Sequence, residues 1–269
     1  MPRKPVVPGI LVGILLFFGF SGPVLMAKSR IVISATASPE FTQMSQDPDK
    51  IWFFQVAEGV FFGGNVRDDS LTNVEFEDII LTIGNQLKRR NMFPHIEQQK
   101  GDFLLVIHWG ATDWEDDLES FFPGGLQDAE GNLDVDLVNT MNSWNFNTRR
   151  LNAALTGFDK VLYGKRRPAP WEEAELRESL SDSRYFIVVN AFDYQLLQGT
   201  GEVRLLWTTR FSTRSPGTNF EIAHEDLVNA AGGYFGKDLD GLEKERAGVD
   251  TGEVKIGEIE VIETIETQP

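Results

Sequence analysis

Apolar residues recur at helical spacing in two stretches of the chain. The first contains Phe76, Ile79, Ile80, Ile83 and Leu87, which follow one another at intervals of one, three or four residues. Thr72 and Glu75 before it have the form of a capping box, and the basic run 88–90 complements the C-terminal end of a helix dipole. We therefore predict a core helix that begins at Thr72 and ends before Pro94, which prevents continuation.

The second stretch repeats this arrangement near the C-terminus. A pair of the same form, Thr218-x-x-Glu221, precedes an apolar stripe that comprises Phe220, Ala223, Leu227, Ala230, Ala231 and Tyr234. The spacing predicts a second core helix that starts at Thr218.

Other parts of the chain have the composition of strands. These runs are Ile31–Ile33, Ile51–Val56, Phe103–Ile107, Tyr185–Leu197 and Val203–Phe211. The third run is apolar on both faces, which is typical of a central strand covered on both sides. The turn-like residues 198–201 connect the last two runs, so we predict a β-hairpin there.

Period-two alternation sets the register of the second hairpin strand. One set of alternating residues is predicted to face the core: Val203, Leu205, Trp207 and Phe211. The other set is predicted to face outward: Arg204, Thr208 and Arg210.

The order of these elements predicts an α+β fold, with a mainly antiparallel sheet, two core helices and a partly helical insertion. We expect a single domain over residues 28–243, with the insertion at residues 112–183. The acidic tail 244–269 adds an edge strand or remains mobile; its Ile/Val pattern at 254–262 leaves both alternatives open.

The insertion contains an apolar seam with alternating steps of four and three. Its members are Leu137, Met141, Trp144, Thr148, Leu151, Leu155, Phe158 and Leu162. Such a seam needs an apolar counterpart, which is either the helix-like run 171–180 or another protein.

The N-terminus has the features of an export signal. Arg3 and Lys4 precede the uncharged, mostly apolar stretch 9–27, and Leu25-Met26-Ala27 is an imperfect cleavage site. Cleavage after Ala27 would yield a periplasmic or secreted protein. The alternative is an uncleaved membrane anchor formed by residues 9–27, because that stretch is long enough to span a bilayer.

Charge and cysteine content narrow the range of partners. The chain has a net charge of −16 and no cysteine, so disulfides and an N-terminal lipid on cysteine are excluded. The negative charge disfavours nucleic acid as a partner, and we expect contact with a membrane only through an uncleaved N-terminus. A protein partner in the envelope and no cofactor are expected.

Three short segments resemble uncharacterised bacterial envelope proteins that share a conserved domain of unknown function. The segments are residues 86–90 (Gln-Leu-Lys-Arg-Arg), residues 102–109 (an Asp-led apolar strand ending in His-Trp) and residues 206–210 (Leu-Trp-Thr-Thr-Arg). The resemblance implies an envelope location and no particular activity.

The candidates for acid–base chemistry depend on tertiary proximity. His108 ends an apolar strand, and Asp113 follows it by five residues, while Arg210 and His224 lie far away in sequence. If the sheet brought the four together, they could form a hydrolytic site. The alternative is that both histidines are structural.

The nearest approach to a metal motif has oxygen-bearing side chains at alternate positions. These are Asp128, Glu130, Asn132 and Asp134, but Leu133 occupies the position at which an EF-hand loop has glycine. An ordinary acidic turn is the simpler interpretation, with weak calcium binding as the alternative.

Aromatic residues in the insertion are candidates for a binding surface. They are Trp114, Phe121, Phe122, Trp144 and Trp171, and charges of both signs lie near them. Aromatics favour interfaces, although they also attach an insertion to its sheet. The sequence thus leaves two functions open: a non-catalytic binding or scaffold module of the envelope, and an exported hydrolase with a site near His108.

Overall fold

A computed structural model describes residues 30–65, 67–97, 100–113, 135–165 and 167–248, and for residues 135–145 it describes the backbone alone. Its centre is a seven-stranded sheet in the order β3-β2-β4-β5-β6-β1-β7. The strands are β1 (Arg30–Ala37), β2 (Trp52–Phe62), β3 (Met92–Pro94), β4 (Phe103–Ala111), β5 (Arg184–Asp193), β6 (Leu205–Arg214) and β7 (Glu243–Arg246).

The described residues also form seven α-helices. They are α1 (Pro39–Met44), α2 (Phe76–Lys88), α3 (Val135–Thr156), α4 (Asp159–Leu162), α5 (Pro170–Ser181), α6 (Tyr194–Thr200) and α7 (Phe220–Ala231). β2 pairs in parallel with β3 and β4, while the other four pairings are antiparallel. The α+β class and the mostly antiparallel sheet agree with the prediction, although the sheet is mixed and the helices outnumber those predicted.

The main hydrophobic core lies between one face of the sheet and the two predicted core helices, α2 and α7. Alternate residues of β4 face it, and Phe103, Leu105 and Ile107 are fully buried. Aromatic rings fill the centre: the rings of Trp52 and Phe103 stack with centroids 4.9 Å apart, and Phe41 packs beside both. Pattern-based prediction therefore identified the face that carries most of the core.

Both core helices begin later than the capping-box pattern predicts. Glu75 is the N-cap of α2 and makes no side-chain capping bond, whereas Thr72 lies at the end of a short 3₁₀ turn. The N-cap of α7 is Asn219, whose Oδ1 accepts a hydrogen bond from the backbone N–H of Ile222 at 3.0 Å. Asn219 competes successfully with Thr218 because asparagine is among the strongest N-cap residues.

The predicted hairpin between β5 and β6 is wrong in its connection. The two strands pair antiparallel, but residues 194–200 form the short helix α6 rather than the end of a strand and a turn. Asp193 caps this helix by accepting a hydrogen bond from the N–H of Leu196, and Gly201 ends it in the left-handed conformation at φ 76°. Both are standard helix-boundary signals.

The register predicted for β6 is correct for Trp207 and Phe211, which are fully buried, and wrong for Leu205, which is exposed. Val203 was also predicted to face the core, but it precedes β6 and is exposed. On β5, Ala191 pairs with Trp207 and the next residue, Phe192, pairs with Leu205. One extra residue, Leu206, is therefore accommodated in a β-bulge, and its side chain enters the core in place of that of Leu205.

The insertion helices cover the opposite face of the sheet. α3 lies across β1, β5 and β6 and packs against α4 and α5. A second, smaller apolar cluster forms there and contains Val32, Ala153, Phe158, Leu176 and Leu180.

The predicted apolar seam describes the buried side of α3 only in part, over the residues whose side chains are described. Thr148 and Phe158 of the seam are buried and Leu151 is exposed, while Asn152 and Thr156, which are not seam members, are buried. Small and polar side chains are buried here because the chain at the end of α3 runs close to the sheet: a Cβ at Gly157 would lie 2.3 Å from Cβ of Ser34. The buried polar groups are satisfied: the Thr156 hydroxyl donates to the Asn152 carbonyl at 2.7 Å.

The C-terminal segment contributes the edge strand β7, which pairs antiparallel with β1. The Ile/Val pattern at 254–262 and the leader 1–27 lie outside the described residues. No helix in the described part of the chain is both long and apolar enough to cross a membrane.

Candidate functional site

His108 has a structural partner. Its ring lies on the face of β4 opposite α2 and α7, and its Nδ1 accepts a hydrogen bond from the backbone N–H of Val60 at 2.9 Å. A register shift in β2 between Glu58 and Phe61 places this N–H against the ring, and a Cβ at Gly59 would lie only 2.6 Å from Nδ1. Burial lowers the pKa of His108 and favours the neutral ring that this bond requires.

The structure does not bring the four predicted acid–base residues together. His108 pairs with Val188, which pairs with Arg210, so the histidine and the arginine share a face about 10 Å apart, two strand spacings. Arg210 binds Asp159 instead, at 3.2 Å. His224 lies on α7 at the opposite face, with Nδ1 3.1 Å from its own helix's Phe220 carbonyl.

The remaining predicted site residues are placed only in part. The carbonyl of Asp113 accepts a hydrogen bond from the Asn152 side chain at 2.7 Å, which joins the end of β4 to α3. Trp171 is 71% exposed at the start of α5. The other predicted residues, or their side chains, lie outside the described part of the structure: Trp114, Phe121, Phe122, Trp144, Asp128, Glu130, Asn132 and Asp134.

The most unusual group in the described structure is Arg184, the first residue of β5. It is 2% exposed, and its guanidinium donates three hydrogen bonds to neutral oxygens. Nε donates to Ser212 Oγ at 3.2 Å, one terminal nitrogen donates to the Ser212 carbonyl at 3.2 Å, and the other donates to the Ser179 carbonyl at 3.4 Å. The guanidinium also lies 5.1 Å from the centroid of the Phe158 ring.

No carboxylate among the described residues lies within ion-pair distance of the Arg184 guanidinium. Burial, and to a smaller extent the charge of Arg214, lowers the pKa of Arg184 to about 10, against the opposing effect of Asp182. The side chain is therefore still protonated at neutral pH. A buried cation whose hydrogen bonds all go to neutral oxygens is costly, because desolvation penalises its charge.

The strand register adds further positive charge at the same end of the sheet. Arg184 on β5 lies directly opposite Arg214 on β6, and Arg30 on β1 lies opposite Arg246 on β7. Like charges in directly opposed positions destabilise a sheet. Arg214 is balanced by an ion pair with Asp182 at 2.5 Å.

Arg30, Arg184 and Arg214 line an open cavity of about 380 Å³ between the sheet edge and α5, which we name the Arg184 cavity. Four basic side chains line it: Arg30, Arg184, Arg214 and Lys244. Among the described residues its wall contains one acidic side chain, that of Glu175, which already pairs with Lys244 at 2.9 Å. In a chain with a net charge of −16, this is a local reversal of sign that concentrates anions.

The electrostatics of the cavity wall agree with its geometry. The hydrogen bond and the charge of Lys244 hold the pKa of Glu175 below its usual value, and the charge of Arg30 acts in the same direction. Glu175 is therefore ionised and forms an ion pair with Lys244, so its charge does not neutralise Arg184. The site consists of fixed hydrogen-bond donors and positive charge, which suits an anion with two or more oxygens.

Sequence reasoning missed this cavity. Arg184 stands immediately before the apolar run that starts at Tyr185, and Arg214 follows the predicted strand run Val203–Phe211 by three residues. Nothing in the sequence shows that the two are opposite each other, because that depends on the β5–β6 register. A charged residue at the border of a strongly apolar run was the only available signal.

Comparisons with known proteins give no family. No protein-family profile matches the chain, and no curated protein matches it. Among solved structures, a DUF4136 family protein from Bacteroides thetaiotaomicron is similar with a TM-score of 0.34 and 11% identity, over 73% of this chain and 91% of that one. That neighbour itself belongs to a family named for a domain of unknown function.

A PDZ domain protein from Parabacteroides distasonis is similar with a TM-score of 0.38 and 10% identity. The alignment covers 81% of this chain and 39% of that one, so this chain spans well under half of that protein. At these values neither similarity assigns a family or a function to the chain.

Proposed function

We propose that this protein is an exported, non-catalytic binding module of the cell envelope and that its ligand is an anion held in the Arg184 cavity. The buried, protonated guanidinium of Arg184, which has no carboxylate partner among the described residues, is the observation that carries the proposal. Support for export comes from the leader pattern of residues 1–27.

The hydrogen-bond inventory of Arg184 supports an incoming anion. A guanidinium has five N–H donors, and neutral oxygens of the described residues take three of them. An anion at this position would accept from the remaining donors and would also be attracted by Arg30 and Arg214, which are more exposed. Such charge-assisted bonds are about twice as strong as bonds between neutral groups.

The hydrolase alternative near His108 has less support. Nδ1 of His108 is engaged with the Val60 N–H, and His224 lies across the sheet from it. A general base needs a free acceptor atom within reach of its substrate. The binding function is therefore the better-supported of the two.

A titration of the exported form with inorganic phosphate at low ionic strength tests the proposal. Isothermal calorimetry should give saturable binding that weakens as salt is added, because the attraction is ionic. Arg30→Gln should weaken binding at least tenfold, since Arg30 is an exposed residue of the cavity wall. The matched control is Arg204→Gln at the other end of β6, which pairs with Glu202.

The control variant should bind phosphate as the unmodified protein does. Absence of saturable binding, or equal affinities for the Arg30→Gln and Arg204→Gln variants, would show that the Arg184 cavity is not an anion site.

A further inference from the structure

A second cavity adjoins the first along α5. It has a volume of about 210 Å³ and shares Glu175, Leu176 and Lys244 with the Arg184 cavity. The two together form a groove between α5 on one side and β7 with its preceding loop on the other. A ligand bound in the first cavity therefore has a direct path into the second.

The second cavity differs in chemistry from the first. Val161, Leu176 and Leu242 supply apolar surface, and all three belong to the small apolar cluster under the insertion helices or pack against it. Lys160 is the one additional cation that the described residues place there, and it is engaged, because its ammonium donates to the Ala35 carbonyl at 3.0 Å and lies 3.3 Å from Asp238. This end of the groove offers apolar contacts rather than free positive charge.

Acidic residues make the two ends of the groove different in charge. Glu172 and Asp240 line the second cavity, and no such unpaired carboxylate lines the Arg184 cavity in the described residues. An anionic group is repelled at one end and attracted at the other. The groove therefore matches a molecule with a single acidic end.

The ion pair between Lys244 and Glu175 separates the two cavities. Its atoms are 2.9 Å apart, and the side chains are 40% and 46% exposed. Exposed pairs of this kind contribute only about 0–1 kcal/mol. The pair can therefore open at little cost, and opening it would also release the Lys244 ammonium to a bound anion.

We infer that the ligand is an amphipathic anion, with one acidic head group among Arg30, Arg184 and Arg214 and a linear apolar chain that extends past the Lys244–Glu175 pair to Val161 and Leu242. This inference rests on the proposed function, because it names the ligand class of the same cavity. The charged cavity orients the head, and burial of the chain against apolar side chains provides added affinity.

Affinities of inorganic phosphate and of methyl, butyl and octyl phosphate for the exported form test the inference, at concentrations below micelle formation. We expect affinity to rise about fourfold for each methylene buried, until the chain fills the second cavity. A parallel series of carboxylates of the same chain lengths shows whether the head must be a phosphate or any acidic oxygen group.

Val161→Thr keeps the side-chain shape and replaces one methyl group by a hydroxyl at the apolar end of the groove. It should weaken octyl phosphate binding several-fold and leave inorganic phosphate binding unchanged. The matched control, Val203→Thr, changes an exposed valine far from the groove and should alter neither affinity. Thermal melting of both variants verifies that each is folded.

The outcomes separate the inference from the proposed function. If phosphate binds and octyl phosphate binds no more tightly, the amphipathic ligand is wrong and the anion site stands. Unchanged octyl phosphate affinity in Val161→Thr also overturns the inference, because the chain would then lie elsewhere. If neither compound binds, both proposals are wrong.

Discussion

Alanine substitutions at Leu205 and Leu206 test the β-bulge that sets the register of β6. The bulge places Leu206 in the core at 1% exposure and leaves Leu205 44% exposed at the surface. Regular alternation from Trp207 would give the opposite assignment. The two adjacent leucines have the same chemistry, so each serves as the control for the other.

The expected magnitudes follow from burial. Truncation of a buried leucine to alanine removes transfer free energy and leaves a cavity, which costs about 2–5 kcal/mol. Leu205 is nearly half exposed, and a fully buried leucine gains about 1.5–3 kcal/mol from burial, so its truncation should cost about 1 kcal/mol. Leu206→Ala should therefore be destabilised by at least about 1 kcal/mol more than Leu205→Ala.

Equilibrium unfolding in guanidinium chloride, followed by tryptophan fluorescence, measures both free energies of unfolding. The slope of the free energy against denaturant should be equal in the two variants, which would show that the unfolding transition itself is unchanged. If Leu205→Ala costs more than Leu206→Ala, the bulge is absent and the regular register is correct.

Three further predictions concern the same sheet. Trp207→Ala should lose about 3–5 kcal/mol in a denaturant titration, since the indole is fully buried, and unchanged stability would contradict its place in the core. Gly59→Ala should lose about 1–3 kcal/mol, because its Cβ would lie 2.6 Å from His108 Nδ1; an unchanged melting temperature would exclude that close packing. The lowered pKa of His108 means that the unfolded state binds a proton more readily, so the stability contributed by the neutral ring is complete above pH 6.5 and decreases as the pH falls below it. His108→Asn keeps an acceptor without titrating and should remove this part of the pH dependence between pH 5 and 7; equal pH profiles for the two proteins would argue against it.

The sequence alone determined the class of the fold and the location of most of its core. Apolar residues at helical spacing identified α2 and α7, because an amphipathic helix repeats its buried face within a short segment of chain. Period-two alternation placed Trp207 and Phe211 in the core for the same reason. These features depend on local geometry, which neighbouring residues set by themselves.

The sequence also contains capping signals for α6, but the apolar strand pattern around them is stronger. Asp193 and Gly201 mark the two ends of the helix. The apolar residues between them continue the pattern of β5, so the sequence pattern favours a strand for this segment. A short helix has too few residues to establish its own period against an adjoining strand. The error therefore lay in weighing competing local patterns.

Only the tertiary structure determined the bulge at Leu206 and the Arg184 cavity. A bulge depends on how two strands pair, and no single strand contains that information. The cavity joins residues from β1, β5, β6, β7 and α5, and its positive potential arises because the register places Arg184 opposite Arg214. Charge and burial at that site are properties of residues far apart in sequence, and they become visible only once the sheet brings those residues together.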